Sequence, residues 1–470
     1  MNQFFYRPAV LAATASLLAG CASFSTDGGF DRVSELTRER TGQGVSAQRS
    51  PQAVDSAAAR VAEILKTPLS ADTAVELALL NNRGLQASFS ELGLAEADLV
   101  QAGRLRNPSF SFGRLAAGGV VEIERAVLFD VLGLLTMPVA RRVQEQGFEQ
   151  AQFRAAHEAV GVASDARRAY FEAVAARELV TYFAQVKEAA DASNELARRM
   201  LAAGNFNKLA QMREQSFHAD ATAGLARAQQ QALSARERLV RLLGLDGTQQ
   251  RELKLPERLP ELPPAPTELK DAEQTALDKR LDLQMARRTT EATARSLGLT
   301  RATRFVNVLE LGYQNKSETG EPRANGFELE LELPIFDFGA VRNARAQAIY
   351  MQALHRTAEV AVNARSEARE SYAAYRSAYE LARHYRDEVV PLRKRISEEN
   401  LLRYNGMLIG VFDLLADARE QVRSVTDYVQ ALRDHWIAET QLQTALTGRS
   451  PGAAASSSSP APAAEQRAGH

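Results

Sequence analysis

Phe327-Glu328-Leu329-Glu330-Leu331-Glu332-Leu333-Pro334-Ile335 alternates without a break between apolar and acidic residues as far as Leu333. A period of two puts Phe327, Leu329, Leu331, Leu333 and Ile335 on one face of a β-strand and Glu328, Glu330 and Glu332 on the other. A soluble sheet with one wet face shows the same pattern, so the context decides. Phe305 to Gln314 supplies a hairpin partner across a polar loop, and little else in the chain resembles a sheet that these strands could join. A second hairpin runs from Pro108 to Ala117, through Gly118-Gly119, and back from Val120 to Phe129, with Phe110 and Phe112 opposite in parity to Ser109 and Ser111. Four strands of about ten residues suit a tilted bilayer crossing. Backbone groups exposed to lipid must be paired, so spanning strands must close into a barrel of roughly eight or more. One chain supplies four. An oligomer is therefore required if the strands span; three copies give twelve strands, and two or four copies stay open at this point.

Outward from the hairpins the pattern turns helical and repeats. Arg168-Ala169-Tyr170, continuing to Glu178-Leu179, reappears as Glu370-Ser371-Tyr372, continuing to Glu380-Leu381, at an offset of 202 that also links Gly204 with Gly406. Ala78-Leu79 with Leu85-Gln86 matches Ala276-Leu277 with Leu283-Gln284 at an offset of 198. The reading is a duplicated unit of helix, hairpin, long helix, turn and returning helix. In the first copy, residues 69–247, Asp72 is expected to cap a helix reaching about Arg104. The hairpin then occupies about 107–136 and a long helix runs from about Val139 to Ala203. Leu179, Tyr182, Phe183, Val186, Ala190, Ser193, Ala197 and Met200 recur every three or four residues, as a coiled-coil-like seam requires. At 1.5 Å per residue such a helix extends roughly 100 Å, too long for a compact globule. The chain reverses at Gly204 and returns from about Asn207 to Leu243. Residues 248–266, rich in proline from Pro256 to Pro266, form a non-helical connector. The second copy, 267–447, has its hairpin at about 305–337, a helix from Ala340 to Tyr404, its turn at Gly406 and a return from Val411 to Leu446. Residues 448–470, rich in Ala, Ser and Pro, are expected to be disordered. The fold class is mainly α with a transmembrane β part.

The first residues place the chain. Arg7, an apolar stretch from Ala9 to Leu18, and Leu18-Ala19-Gly20-Cys21 read as a lipoprotein signal peptide, residues 1–20, ending in a lipobox. Cys21 is the sole cysteine and so has no internal disulfide partner; covalent diacylglycerol and an N-acyl lipid on its sulfur and amine are the expected modification. At about 0.8 kcal/mol per buried methylene these chains anchor a protein without a transmembrane helix. Ala22, where an aspartate would favour inner-membrane retention, favours outer-membrane lipid. Residues 21–68 are then a lipid-anchored linker. After the signal no apolar run reaches the roughly 18 residues a spanning helix needs. A net charge of −1, with no basic block, speaks against nucleic acid as a partner.

These residues together resemble the TolC-like outer-membrane efflux family over nearly the whole mature chain. Arg106-Asn107-Pro108 is similar to the family's lead into a strand, and Leu333-Pro334-Ile335-Phe336-Asp337-Phe338-Gly339 to its exit from the second hairpin. Tyr404-Asn405-Gly406-Met407-Leu408-Ile409, continuing to Asp413-Leu414-Leu415, is similar to its periplasmic turn. Phe129 to Pro138 departs from the usual short Pro and Gly pattern. The resemblance implies a homotrimer, with a shared twelve-stranded outer-membrane β-barrel and a periplasmic α-barrel of antiparallel helices. It further implies a periplasmic adaptor (membrane fusion) protein and an inner-membrane transporter as partners.

Function follows as a passive duct, of a tripartite efflux or type I secretion system. Glu328, Glu330 and Glu332 are candidate pore-lining groups that favour cations, or else simply a solvated face. Gly204 and Gly406 are expected to permit the tip reversals through their backbone freedom. Phe206, Leu408 and Ile409 are candidate adaptor contacts, and Asp413 and Asp417, one turn apart, are candidates for an entrance constriction or else part of a solvated helix face. No catalytic set, metal site or cofactor motif is found: His157, His218, His355, His384, His435 and His470 show no paired ligand spacing. Trp436 reads as packing. Two alternatives remain: a periplasmic helical-hairpin lipoprotein scaffold without a pore, and a duct specific for metal cations. The exported substrate is not legible.

Overall fold

The computed structural model describes residues 23–302, 309–331 and 338–450. Cys21, the signal segment, Glu332, the Leu333 to Asp337 exit and the tail beyond Ser450 lie outside the described residues. The elements are α1 (Phe30–Thr41), α2 (Pro51–Ile64), α3 (Ala71–Asn81), α4 (Arg83–Ala102), β1 (Ser109–Ala117), β2 (Val120–Asp130), α5 (Val131–Ala202), α6 (Lys208–Leu243) and α7 (Gly247–Glu252). There follow α8 (Ala272–Lys279), α9 (Leu281–Ala302), β3 (Leu309–Glu318), β4 (Ala324–Leu331), α10 (Ala340–His384), a π-helical turn (Tyr385–Val389), α11 (Val390–Asn405) and α12 (Val411–Thr447). The order helix pair, hairpin, long helix, turn and return helix thus occurs twice. Segment 21–68, expected as linker, carries α1 and α2. No described helix is long and apolar enough to cross a membrane.

Several boundaries move for identifiable reasons. The cap expected from Asp72 is made by Ser70: the Thr73 N–H donates to Ser70 Oγ at 3.1 Å, and the Ser70 N–H donates to Thr73 Oγ1 at 2.8 Å. This reciprocal box satisfies two orphan donors of the first turn. Asp72 instead pairs with Arg167 at 2.5 Å. The expected single helix to Arg104 breaks at Asn82, which has φ −67° and ψ 114°. Its Oδ1 accepts from the Leu85 N–H at 2.9 Å and starts α4, while its Nδ2 donates to Leu242 O, also at 2.9 Å. Arg280, 198 positions on, separates α8 from α9 with similar dihedrals, φ −63° and ψ 127°. The β-hairpin expected to reach 136 ends at Asp130, whose Oδ1 accepts from the Gly133 N–H at 2.6 Å and caps α5. The long helix therefore starts at Val131 and not Val139, with Pro138 inside it. Its 72 residues have a contour of roughly 108 Å.

The chain divides into two units. One comprises Ser88–Ala155, Asp282–Ala361 and the segment before Ser34, and contains the four-stranded sheet. Here Phe30 meets Phe89 edge-on at 4.9 Å, and Ser25 N and Oγ donate to Glu96 at 2.7 and 2.5 Å.

The other unit is helical. Its core gathers Val61, Leu65 and Leu69 from the α2 region, Leu77 from α3, Tyr170, Phe171 and Val174 from α5, Leu239 and Leu243 from α6, and Val429 and Leu432 from α12. Leu253, Leu255, Leu259 and Leu262 of the connector join this core, so the connector is packed. A proline-rich segment has no helical partners for its carbonyls, and burial makes that costly. Side chains supply donors: Trp436 Nε1 to Pro260 O at 3.1 Å, Tyr379 Oη to Pro263 O at 3.0 Å, and Arg386 Nη1 to Leu262 O at 3.3 Å. Trp436 also stacks on Phe171 with centroids 5.5 Å apart, which is the packing role its sequence context suggested. Tyr170 Oη donates to Leu69 O, and burial pushes its hydroxyl up to about 12.

His435 is the least satisfied group here. It is 0% exposed, its ring lies 5.4, 5.6 and 5.1 Å from those of Tyr375, Tyr379 and Trp436, and neither ring nitrogen has a hydrogen-bond partner. Burial lowers its pKa to about 4 from 6.5. The unfolded chain takes up this proton below about pH 6.5 and the folded chain does so only near 4, so stability falls as pH drops through that window. The loss approaches about 3.4 kcal/mol, ~2.5 pKa units at 1.36 kcal/mol each, once the pH is below both values. Denaturant midpoints of the full-length protein between pH 7.5 and 4 are expected to show this fall, and His435→Phe to flatten it.

Candidate functional site

The sheet is antiparallel throughout, in the order β1-β2-β3-β4, so the two hairpins lie side by side through β2 and β3. Its register sorts the side chains. Phe110, Val127, Tyr313 and Phe327 form one cross-strand row, and Phe129, Leu311 and Leu329 form the next toward the helix-joined ends. Tyr313 meets Phe327 edge-on at 6.0 Å. These apolar groups are bare: Phe327 is 85% exposed and Leu329 67%.

The opposite face gathers the acids. Glu328 stands across from Gly312, and Glu330 across from Glu310 and Asp130, on the same side. Glu122, Glu124 and Glu318 lie on this face too, with Lys316 paired to Glu122 and 3.8 Å from Glu124. Gln314 Nε2 donates to Glu328 Oε2. The two described glutamates picked from the sequence are thus brought together with four more and Asp130. The missed ones were signalled by parity, because Glu122 and Glu124, like Glu328 and Glu330, stand two apart in their strand. Like-charge crowding of this density favours water over apolar cover.

The helix tips are built by one motif. At the first, the Asn205 N–H donates to Met200 O at 2.9 Å and the Gly204 N–H to Leu201 O at 3.0 Å, with Gly204 at φ +78°. This is the Schellman pattern, in which glycine suits the left-handed position. At the second, the Leu408 N–H donates to Arg403 O at 2.8 Å and the Met407 N–H to Tyr404 O at 3.0 Å. The left-handed residue there is Met407, at φ +57°, and not Gly406, which has φ −79°. The expectation that Gly406 supplies the backbone freedom is therefore corrected: the turns correspond at an offset of 203. The helix leading to the second turn contains a π-helical turn at Tyr385–Val389, where the Val390 N–H reaches back to Tyr385 O. Pro391 follows at once; it has no N–H for Asp387 O, and its ring crowds that carbonyl.

Of the tip candidates, Leu408 is 77% exposed, beside Met407 at 93%. Phe206 and Ile409 are half-buried and Gly204 and Gly406 exposed. Asp413 is exposed and accepts from the Gly410 N–H at 3.2 Å, a capping contact at the start of α12. Asp417 is 7% exposed and one of its oxygens, Oδ2, has no partner. It does not lie on a solvated helix face. Glu214, missed in the sequence, holds the corresponding place on α6: 1% exposed, Oε2 accepting from Ser193 Oγ at 2.8 Å, Oε1 without a partner. Among the described residues no cluster of three His, Cys, Asp or Glu is placed to hold a metal ion.

No family model matches the sequence and no curated protein is similar to it. Solved structures do match. The CmeC outer membrane channel of Campylobacter jejuni superposes with a TM-score of 0.70 at 16% identity, over 82% of this chain and 87% of that one. The outer membrane protein VceC of Vibrio cholerae gives 0.67 at 16% identity, over 81% and 96%. The outer-membrane channel OprN gives 0.68 at 18%, over 88% and 95%. The chain therefore has the TolC-like fold.

A methionine in the left-handed region is strained by about 1 kcal/mol relative to glycine. Met407→Gly is expected to slow amide exchange at Leu408 by roughly fivefold and Gly204→Ala to speed exchange at Asn205 by a similar factor, as read by hydrogen exchange.

Proposed function

We propose that the chain is the outer-membrane channel subunit of a tripartite efflux or type I secretion system, a passive duct anchored by lipid on Cys21. The observation that carries this is the four-stranded sheet with one acidic face, one bare apolar face and two open edges, β1 and β4. An even number of strands per chain lets β4 of one copy pair antiparallel with β1 of the next, so rotation about one axis closes the sheet without a mismatched strand. Three copies give twelve strands and a homotrimer, with the apolar face in outer-membrane lipid and the acidic face around water. Glu328, Glu330 and Glu332 then line the pore, and the long helices form the periplasmic duct. The exposed Met407 and Leu408, with Phe206 and Ile409, meet a periplasmic adaptor, which links the duct to an inner-membrane transporter. The twice-occurring element order supports an internal duplication. The solved channels of like fold support the same reading, CmeC and OprN being outer membrane channels by their own descriptions.

A pore-free periplasmic scaffold leaves the bare aromatic face without a partner, which is why the channel is preferred. Purified full-length protein is expected to form conducting units in planar bilayers, with cations preferred over anions. Glu328→Gln with Glu330→Gln should reduce that preference at least twofold without abolishing conductance. Trypsin added to intact cells should cut between Lys316 and Arg323. Protection of that loop, together with no conductance, would favour the scaffold.

A further inference from the structure

The register separates charge as well as polarity. Every acid of the described strands lies on one face, and the opposite, apolar face carries none. It does carry two arginines. Arg114 stands opposite Ile123, and Arg125 opposite Phe112, so the two are diagonal neighbours on one face, with Cα atoms about 7–8 Å apart. Asn315 and Asn325 continue the Arg125 row, and Ser317 continues the Arg114 row. Arg125 Nη1 donates to Asn315 Oδ1 at 2.9 Å, and Asn315 Nδ2 donates to Asn325 Oδ1 at 2.7 Å. Among the described residues neither guanidinium has a carboxylate within ion-pair distance. Arg114 is exposed and Arg125 half-buried.

Position along the strands identifies what such a pair meets. The row lies one pleat repeat, about 6.8 Å, beyond Phe110, Val127, Tyr313 and Phe327, on the side of the hairpin turns at Gly118-Gly119 and Gly320. Aromatic residues in barrels collect at the membrane interface, and the cost of an outward arginine falls from about 2–4 kcal/mol at mid-bilayer to about 0–1 there. A row of uncompensated guanidiniums and amides just past an aromatic row therefore sits among headgroups of the outer leaflet. Two fork-shaped donors with amide and hydroxyl groups beside them match a phosphomonoester. That group has three acceptor oxygens and a charge near −2, whereas a phosphodiester carries only −1.

We infer that Arg114 and Arg125, with Asn315, Ser317 and Asn325, form a lipid-facing site for phosphomonoester headgroups. The site rests on the barrel reading, since only a lipid-facing sheet presents it to headgroups. The test is native mass spectrometry of the full-length protein in mild detergent, incubated separately with phosphatidic acid, monophosphorylated lipid A, phosphatidylglycerol and phosphatidylcholine. The expected result is at least tenfold greater retention of one or both phosphomonoester lipids than of phosphatidylcholine, with phosphatidylglycerol between. Arg114→Gln with Arg125→Gln should bring that ratio to about one while bilayer conductance is kept. If the double variant fails to assemble, the wild-type protein decides: its preference must weaken as salt rises from 0.05 to about 0.5 M. Equal retention of all four lipids, or a preference untouched by the substitutions or by salt, overturns the site. A conducting channel indifferent to lipid overturns the site alone, whereas a wild-type chain that never enters bilayers overturns the barrel reading with it.

Discussion

Unpaired backbone is the constraint from which the rest of the sheet follows. β1 and β4 each leave one edge of N–H and C=O groups without a strand beside it, and in hydrocarbon each such group costs several kcal/mol. Water removes that cost, which is why the same four strands are tolerable in a soluble monomer as far as hydrogen bonding goes. Their side chains are less indifferent. Phe327, Leu329, Phe110 and Phe112 are all more than half exposed, and a continuous bare aromatic face of this kind is stable in water only when something covers it. Edge and face together favour lipid on one side, and further copies of the chain at either end.

The helical part obeys a different rule, because an α-helix satisfies its own backbone everywhere but at its ends. Its information is therefore concentrated at caps and turns. The two reversals use one hydrogen-bond pattern, yet the residues in the left-handed position are Gly204 and Met407. Tyr170 and Tyr372 correspond at 202, while the turns, and the helix starts at Asn207 and Gly410, correspond at 203. Between Tyr372 and the second turn the helix widens to a π turn, directly before Pro391, which prevents normal α-helical bonding. Met407 takes a glycine's conformation some sixteen positions beyond Pro391.

Strand parity was legible because it depends on residues two apart, and the faces of β1 and β4 fall as the alternation requires. The end of β2 was not: Val131 to Pro138 is apolar and contains a proline, features that favour extended chain, and only Asp130 as a cap marks the helix start. Ser70-x-x-Thr73 carried the cap that Asp72 was expected to make, since a reciprocal hydroxyl pair satisfies two donors at once. The connector was readable as non-helical from its prolines. Its burial was not readable, because the donors that satisfy its carbonyls, Tyr379, Arg386 and Trp436, come from more than a hundred residues away. Arg125, Asn315 and Asn325 had no meaning as a set until the register aligned them.

Buried ionisable groups divide the helical unit in the same terms. Arg280 is 1% exposed but held at 2.7 Å by Glu367, so its burial is compensated and its break in the helix is rigid. Glu214 and Asp417 are not compensated in this way. Each stands seven residues past the cap of its return helix, Asn207 or Gly410, and each keeps one carboxylate oxygen buried without a protein partner. Separating the paired helices at that level would hydrate the oxygen and recover about 1–3 kcal/mol. This offsets part of the apolar burial that separation exposes there, where a small cluster of Val186, Ala190, Phe217 and Ala221 is packed by Tyr182 and Val422. Near the middle of the unit no such recovery is available around Tyr170, Phe171 and Leu239, and separation costs the full burial. Two half-satisfied carboxylates near the hairpin ends thus lower the cost of separating the paired helices there, and near the middle of the unit no such groups do so.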